Sequence, residues 1–229
     1  MREKAKGKRK KGERGGGRLG LGMKATTRIY LIRHGEVAVA YHRTFGGKID
    51  MDLSPRGVEQ AKGTANYLRR VRFDAIYASP MRRAQQTLAP LAAEFAAVAP
   101  VNLADLREVD FGEWTGHTWE QVLEKFGSHA FDWLEKMDQA AIPGGESAAR
   151  FRARVEPCLR RILEQHHGQT VAVVCHGGVI RMLLALLLDL PLVVTGRFEI
   201  EYASVSVVDR GPLRTEVQLL NFTPWRDWP

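Results

Sequence analysis

Short apolar runs alternate along the chain with longer amphipathic stretches. The runs that predict strands lie at 29–32, 74–78, 100–103, 171–174, 202–208 and 215–220. Between most of them the pattern is typical of helices. Strands that alternate with helices in this way predict an α/β fold, a three-layer α/β/α sandwich around a mainly parallel sheet.

Two predicted helices begin at a serine that is followed by a proline. Ser54 is expected to cap a helix over 55–70, and Ser79 is expected to cap a helix over 80–97, because proline is favoured at the first helical position. A long amphipathic helix is predicted over 147–166, with a kink at Pro157.

The middle of the chain lacks this regular alternation. An ordered loop is predicted over 105–117, a capping box formed by Thr118 and Gln121 predicts a short helix, and aromatic residues near 131–134 predict another. We interpret the whole segment 105–145 as an insertion that caps the carboxyl edge of the sheet and partly covers the site there.

Basic residues are concentrated at the amino terminus. The first 22 residues hold nine Lys or Arg and two Glu, a net charge of +7, which leaves about +1 of the total of +8 for the rest of the chain. With seven glycines and few apolar residues, 1–22 is expected to be disordered, ahead of one domain over 23–229. Two interpretations stay open: an anchor that binds nucleic acid or anionic surfaces non-specifically, and an upstream-extended start before Met23.

Cysteine usage and apolar run length indicate the compartment. Two cysteines, Cys158 and Cys175, do not make a disulfide framework, which favours a reducing cytoplasm. Cys175 is interpreted as a small buried strand residue, because no partner pattern of a cysteine enzyme accompanies it. The Leu-rich run 182–188 is too short to span a bilayer and predicts a buried helix.

Two histidines carry the most information about chemistry. His34 follows the first predicted strand, and His176 follows the strand at 171–174, so we expect both imidazoles in one crevice at the carboxyl ends of strands. Arg33 and an arginine from 79–87 suit an anion there, since guanidinium groups match phosphate oxygens. The cluster predicts phosphoryl transfer, in which one imidazole attacks phosphorus while cations hold the other oxygens.

A leaving alkoxide needs a proton, so a carboxylic acid is expected nearby. Glu36, Glu108 and Asp110 are the candidates. A phosphate dianion raises the pKa of a neighbouring carboxyl group and so keeps the group able to donate. No residues have the spacing of a metal site, and we predict neither a metal nor another cofactor.

Five segments in this order resemble the histidine phosphatase superfamily, which includes cofactor-dependent phosphoglycerate mutases, fructose-2,6-bisphosphatase and α-ribazole phosphatase. They are RHGE at 33–36, SPMRRAQQT at 79–87, LREVDFGEW at 106–114, PGGES at 143–147 and HGG at 176–178. The resemblance runs from Arg28 to about Asn221 and implies a phosphoglycerate mutase-like fold.

The resemblance also implies a role for individual residues. His34 is implied to be the nucleophile, forming a phosphohistidine that water hydrolyses, and Glu108 is implied to protonate the leaving group. The residues implied to form the phosphate pocket are Arg33, Arg83, His176 and, through its backbone N–H, Gly177. The superfamily uses no metal.

The chain departs from the mutases in two respects. They carry an asparagine six residues after the nucleophilic histidine, where this chain has Ala40, with His42 or Arg43 as a replacement donor. The body from Met23 also leaves no room for the longer substrate-covering insertion of typical mutases. Both differences favour a phosphatase, similar to the α-ribazole and broad-specificity branches.

Two other functions stay open at this point. One is a phosphoglycerate mutase, which retains the phosphoryl group, and the other is a non-catalytic protein that binds a phosphorylated ligand. For a phosphatase the expected partner is a small phosphorylated metabolite, with α-ribazole 5′-phosphate as the candidate. Its recognition is expected to depend on 37–52 and 105–145.

Overall fold

The computed structural model describes residues 26–227, so the predicted tail over 1–22 and the alternative start at Met23 lie outside the described residues. The strands are β1 (Thr27–Arg33), β2 (Ala75–Ala78), β3 (Val101–Asn102), β4 (Thr170–Cys175), β5 (Val205–Arg210) and β6 (Thr215–Phe222). The α-helices are α1 (Pro55–Leu68), α2 (Arg82–Glu94), α3 (Trp119–Phe126), α4 (Trp133–Asp138), α5 (Ala148–Gln165), α6 (Gly177–Leu188) and α7 (Pro224–Asp227).

The six strands form one sheet in the order β3-β2-β4-β1-β5-β6. Strands β1 to β4 pair in parallel, β5 is antiparallel to β1, and β6 is antiparallel to β5. The predicted mainly parallel sheet is therefore confirmed. Because Arg33 of β1 lies opposite Cys175 of β4, the residues that follow them, His34 and His176, leave neighbouring strands side by side.

Alternating side chains of the central strands pack into two apolar clusters on opposite faces of the sheet. Ile29 and Leu31 of β1 belong to a cluster with residues of α5 and α6, whereas Ile32 belongs to a cluster with residues of α1 and α2. Successive side chains of a strand point to opposite faces, so helices cover both sides. This confirms the three-layer α/β/α architecture.

Two of the predicted helix starts are confirmed by their caps. The Ser54 hydroxyl accepts a hydrogen bond from the Gly57 amide ahead of α1. Thr118 and Gln121 exchange side-chain and backbone bonds as a capping box ahead of α3. Pro157 lies inside α5, as expected.

The predicted start at Ser79 is wrong, since α2 begins at Arg82. The Ser79 hydroxyl lies 2.7 Å from Nε2 of His176, and the Arg82 amide donates instead to the Asp50 carboxylate at 2.7 Å. Groups from distant loops therefore satisfy this helix end. The strand predicted over 202–208 also begins later, because Tyr202 lies in a turn before β5.

None of the helices within 26–227 is long and apolar enough to cross a membrane.

Candidate active site

The backbone of His34 is fixed at the carboxyl end of β1. Its amide donates to the Cys175 carbonyl at 3.0 Å, and its carbonyl accepts from the Ala203 amide at 3.0 Å. The next amide, that of Gly35, donates to the Thr87 hydroxyl of α2 at 2.9 Å. Neighbouring strand ends and a helix therefore hold this residue in place.

The side chain of His34 is 5% exposed, and its Nδ1 atom lies 2.8 Å from the Gly35 carbonyl oxygen. A carbonyl only accepts, so Nδ1 carries the proton and Nε2 keeps its lone pair. Burial lowers the pKa of His34 well below its ordinary value, and the charges of Arg83 and Arg33 lower it further. The imidazole is therefore neutral with an unprotonated nitrogen, as a nucleophile requires.

His176 is fully buried beside His34, with ring centroids 5.2 Å apart. Nε of Arg83 donates to its Nδ1 atom at 3.2 Å, so Nε2 carries the proton and donates to the Ser79 hydroxyl at 2.7 Å. Burial, followed by the charge of Arg83, lowers the pKa of His176 well below its ordinary value. His176 lies behind the cavity wall described next and contacts Arg83, not the cavity itself.

A cavity of about 560 Å³ opens at this edge of the sheet. Five of the predicted site residues line it, namely Arg33, His34, Arg83, Glu108 and Gly177. Aromatic side chains from the segment 105–145 form another part of the wall, namely Phe111, Trp119, Phe131 and Trp133. One open cleft therefore combines a polar, cationic region with an aromatic one.

Two arginines leave donors unused at the cationic region. Arg33 donates to the Ile200 carbonyl and stacks 4.0 Å from the ring centre of Tyr202, and Arg181 donates to the Phe198 carbonyl at 2.9 Å. The buried Nε atoms of Arg33 and Arg181 have no hydrogen-bond partner among the described residues. Both residues line the cavity, so their guanidinium charges fit an anion there.

Arg181 also lines the cavity, although it was not among the site residues predicted from the sequence. Burial lowers its pKa to about 10, with a further contribution from Arg33, so the guanidinium remains charged at neutral pH. The available signal was spacing: Arg181 lies four residues after Gly177, which puts both on one face of α6 beside its amino terminus.

Arg83 connects the buried histidine to a loop of the cavity wall. Besides its bond to His176, it donates to the carbonyl of Ile49 at 2.7 Å and that of Gly47 at 3.0 Å. Desolvation by burial lowers the pKa of Arg83. One side chain therefore fixes the relative positions of α2, the loop 46–49 and His176.

The Glu108 carboxylate lies against the first turn of α6. Oε1 accepts from the Val109 amide at 3.0 Å, and Oε2 accepts from the Gly178 amide at 3.3 Å. A Cβ atom at position 178 would lie 2.6 Å from Glu108 Oε1, so glycine is needed for this approach. The carboxylate and the amino terminus of α6 are therefore adjacent in the cavity wall.

The other two candidate acids have different surroundings. Glu36 lines the cavity and accepts a hydrogen bond from the Ser54 hydroxyl at 2.7 Å. Asp110 lies outside that wall; it accepts from the Gly112 amide at 3.0 Å and pairs with Lys48 at 3.3 Å. Asp110 therefore shapes the loop.

The region that differs from the mutases lies at the mouth of the cavity. Ala40 is exposed and outside the wall, whereas His42 and Arg43 line it. Nε2 of His42 donates to the Val37 carbonyl at 2.9 Å, and Arg43 packs 5.2 Å from the ring centre of Trp119. Whether either replaces the asparagine stays a prediction.

Cys175 is buried, and burial raises the pKa of its thiol, in agreement with a strand residue that takes no part in chemistry. Within residues 26–227 no group of three or more His, Cys, Asp or Glu is arranged to hold a metal ion.

Two glycines allow the loop after His34, here called the nucleophile loop because of the role implied for His34, to contact α1. A Cβ atom on Gly35 would lie 2.5 Å from the Gly57 carbonyl oxygen, and a Cβ atom on Gly57 would overlap the Glu36 carbonyl. Both contacts are with backbone atoms, which cannot swing away as a flexible side chain can. The close approach of α1 to the loop after His34 therefore requires glycine at both positions.

A three-layer α/β/α fold with paired histidines and arginines at the strand ends indicates the class of enzyme to which the chain belongs. The chain belongs to the histidine phosphatase superfamily (branch 1), whose family model matches residues 29–223. The match includes every site residue predicted from the sequence. The predicted class of enzyme, a phosphatase that hydrolyses a phosphate monoester, is confirmed by the family and its named relatives.

Individual relatives are similar over nearly their whole length. Phosphoserine phosphatase 1 of Hydrogenobacter thermophilus is 33% identical over 196 residues, which cover 86% of this chain and 92% of that protein. Adenosylcobalamin/α-ribazole phosphatase of Escherichia coli is 29% identical over 195 residues, which cover 85% and 95%. These relatives are phosphatases by name, and the mutase alternative finds no support among them.

Solved structures agree with this assignment. The α-ribazole phosphatase from Shigella flexneri superposes with a TM-score of 0.74 at 28% identity, covering 85% of this chain and 96% of that chain. A mycobacterial glucosyl-3-phosphoglycerate phosphatase superposes with a TM-score of 0.77 at 26% identity, covering 86% and 99%. The phosphoglycerate mutase-like fold is therefore confirmed.

Proposed function

We propose that hydrolysis proceeds in two steps through His34. In the first, Nε2 attacks phosphorus, the N–P bond forms, the bond from phosphorus to the leaving oxygen breaks, and Glu108 gives that oxygen its proton. In the second, water attacks the phosphohistidine, the N–P bond breaks, and the Glu108 carboxylate takes a proton from the water. Neither step requires a metal ion.

The observation that carries this proposal is the state of the His34 imidazole. Its Nδ1 proton is committed to the Gly35 carbonyl at 2.8 Å, and its lowered pKa leaves Nε2 unprotonated in a cavity lined by arginines. A neutral imidazole with a free Nε2 lone pair is able to attack phosphorus, which a protonated imidazolium cannot do. Cations around it stabilise the charge on the transferred phosphoryl group.

We assign the phosphate oxygens to Arg33, Arg83, Gly177 and Arg181. The guanidinium groups of Arg33 and Arg181 supply positive charge at the cavity wall, and the amino terminus of α6 adds backbone N–H groups and a positive dipole end. His176 contributes through Arg83, because its Nδ1 atom accepts a hydrogen bond from Nε of Arg83. The product phosphate is then a competitive inhibitor.

We propose a leaving group that contains a planar ring, and α-ribazole 5′-phosphate is the candidate substrate. A volume of about 560 Å³ suits a ligand of that size better than phosphoserine, and the aromatic wall offers faces for stacking. Phosphoserine is the second candidate substrate, because the relative named phosphoserine phosphatase 1 is 33% identical over 86% of this chain.

Initial rates of phosphate release test both parts, measured with EDTA present over α-ribazole 5′-phosphate, phosphoserine, fructose 2,6-bisphosphate, 3-phosphoglycerate and an aryl phosphate. We expect the highest kcat/KM for α-ribazole 5′-phosphate and an acid-labile, base-stable phosphoenzyme after rapid quenching. The exposed histidine variant His129→Ala is the matched control for His34→Ala. A phosphoenzyme in His34→Ala, or release that EDTA abolishes, contradicts the mechanism.

The cytoplasm is the proposed compartment, on the basis of two free cysteines, both buried. A small phosphorylated metabolite is the proposed partner. Nucleic acid is proposed only as a non-specific ligand of 1–22, tested by salt-dependent binding before and after removal of that segment.

A further inference from the structure

Arg154 of α5 uses all of its donors on one small region. Its Nη1 atom donates to the carbonyls of Asp105 at 2.6 Å and Arg107 at 2.8 Å, and its Nη2 atom donates to the carbonyl of Glu108 at 3.2 Å. The remaining bonds, from Nε at 2.7 Å and Nη2 at 2.9 Å, go to the two carboxylate oxygens of Glu146. All five N–H bonds of the guanidinium are therefore occupied.

Glu146 in turn forms hydrogen bonds with Asp110, two residues after Glu108. Its amide donates to the Asp110 carbonyl at 2.8 Å, and its carboxylate accepts from the Asp110 amide at 3.4 Å. The side chains of Glu146 and Arg154 are each only 9% exposed, so the pair is shielded from solvent. A bidentate, fully hydrogen-bonded pair with this burial holds its geometry tightly.

Packing alone does not fix the position of Glu108. Leu106 and Val109 anchor the loop in the core, but a small cavity of about 140 Å³ lies beside the loop between them. Glu108 borders this small cavity and the large one. The backbone on either side of the carboxylate therefore depends on hydrogen bonds, and Arg154 supplies three of them.

We propose that Arg154 and Glu146 are positioning residues that hold the Glu108 carboxyl where it reaches the leaving oxygen. Neither residue lines the large cavity, and Arg154 acts through the loop carbonyls. This inference rests on the proposed role of Glu108 as the acid. Lysine cannot replace Arg154, because a single ammonium group does not reach three carbonyls and a carboxylate in the fixed geometry of a guanidinium.

The test exploits the leaving group. An aryl phosphate releases a stable phenolate and needs little help from an acid, whereas an alkyl phosphate such as glycerol phosphate needs the proton. We expect Arg154→Lys to lower kcat/KM, which reports the steps up to formation of the phosphohistidine, about tenfold for glycerol phosphate and less than about twofold for the aryl phosphate.

The chain supplies a matched control on the same helix. Arg152 forms an exposed ion pair with Glu156, so Arg152→Lys is expected to leave both rates unchanged. If Arg154→Lys does not fold, Glu146→Gln carries the same comparison, because it keeps the side-chain shape and removes the charge from the pair. A loss by either variant that is equal for both substrates, or no loss, overturns the proposal.

Two reference variants separate this proposal from the mechanism that it rests on. Glu108→Gln is expected to show the same dependence on the leaving group with a larger loss, about 10²-fold or more for glycerol phosphate. If Glu108→Gln leaves alkyl hydrolysis intact, the role of the acid itself fails. If Glu108→Gln behaves as expected and Arg154→Lys does not, only the positioning role fails.

Discussion

The phosphate end and the leaving-group end of the cavity are built in opposite ways. At the phosphate end His34 and Arg83 are almost fully buried and extend from strand ends or the start of a helix, with hydrogen bonds that determine the tautomer. At the other end Phe131 is 84% exposed and Trp119 packs against it in a segment of short helices and turns.

This difference separates reaction from recognition. A preorganised phosphate end acts on any monoester, because the phosphoryl group that it binds is common to all monoesters. An exposed aromatic mouth is expected to select among leaving groups and to tolerate substitution without loss of the chemistry. The superfamily is therefore evident from this chain, whereas its substrate depends on the mouth.

The variant His34→Ala is expected to have the largest effect, and it tests the phosphate end of the cavity. Loss of the attacking nitrogen is expected to lower kcat at least about 10³-fold for every monoester, whatever its leaving group. Steady-state kinetics with the aryl phosphate and α-ribazole 5′-phosphate provide the measurement. Substrate-selective loss contradicts the assignment of this end to the reaction.

Arg83→Lys comes next in size. Lysine cannot reach His176 and the carbonyls of Gly47 and Ile49 together, so we expect kcat/KM to fall about 10²-fold for all substrates. Inhibition by inorganic phosphate is expected to weaken in parallel. The exposed neighbour Arg82, paired with Asp52, provides the control variant Arg82→Lys. Unchanged phosphate inhibition in Arg83→Lys would count against the assignment.

The buried histidines also predict a pH-dependent stability. Burial holds the pKa of His34 and His176 well below 6.5, so the unfolded chain binds more protons once the pH falls below that value. Above about pH 6.5 the two neutral histidines cost no stability. Below that pH the free energy of unfolding decreases by about 1.4 kcal/mol per pH unit for each histidine, until its folded-state pKa is reached.

Urea unfolding at a series of pH values measures this slope. His34→Gln removes one of the two buried titrating groups and is expected to make the slope shallower, with His129→Gln as the control substitution. An identical slope in the wild type and in His34→Gln contradicts the prediction.

The smallest effect is expected at the mouth. Phe131→Ala is predicted to raise KM for α-ribazole 5′-phosphate about fivefold, by loss of a stacking face, and to leave kcat and glycerol phosphate hydrolysis unchanged. Leu213→Ala, 96% exposed and outside the cavity wall, is the matched control. A fall in kcat for both substrates would mean that the two ends are not separable.

Strand periodicity placed residues such as Arg33 and His34 at one sheet edge, where they line the cavity, but it did not identify Arg181 in the same wall. Prediction also failed at Ser79, where a local capping pattern is overridden by bonds to His176 and by Asp50 at the helix start. Arg154 and Glu146 were equally out of reach, since they bind each other and backbone groups of the loop 105–110, which local patterns do not place. Such contacts form only when distant segments meet in the folded chain.

The touching backbones at Gly35 and Gly57 have a genetic consequence. A side chain at either position forces the same separation of α1 from the nucleophile loop, so the second substitution adds little once the first is present. Neither position can therefore rescue the other, and no sequence of single steps leads away from the pair. We therefore expect glycine at both positions in related enzymes, whichever residues form the mouth.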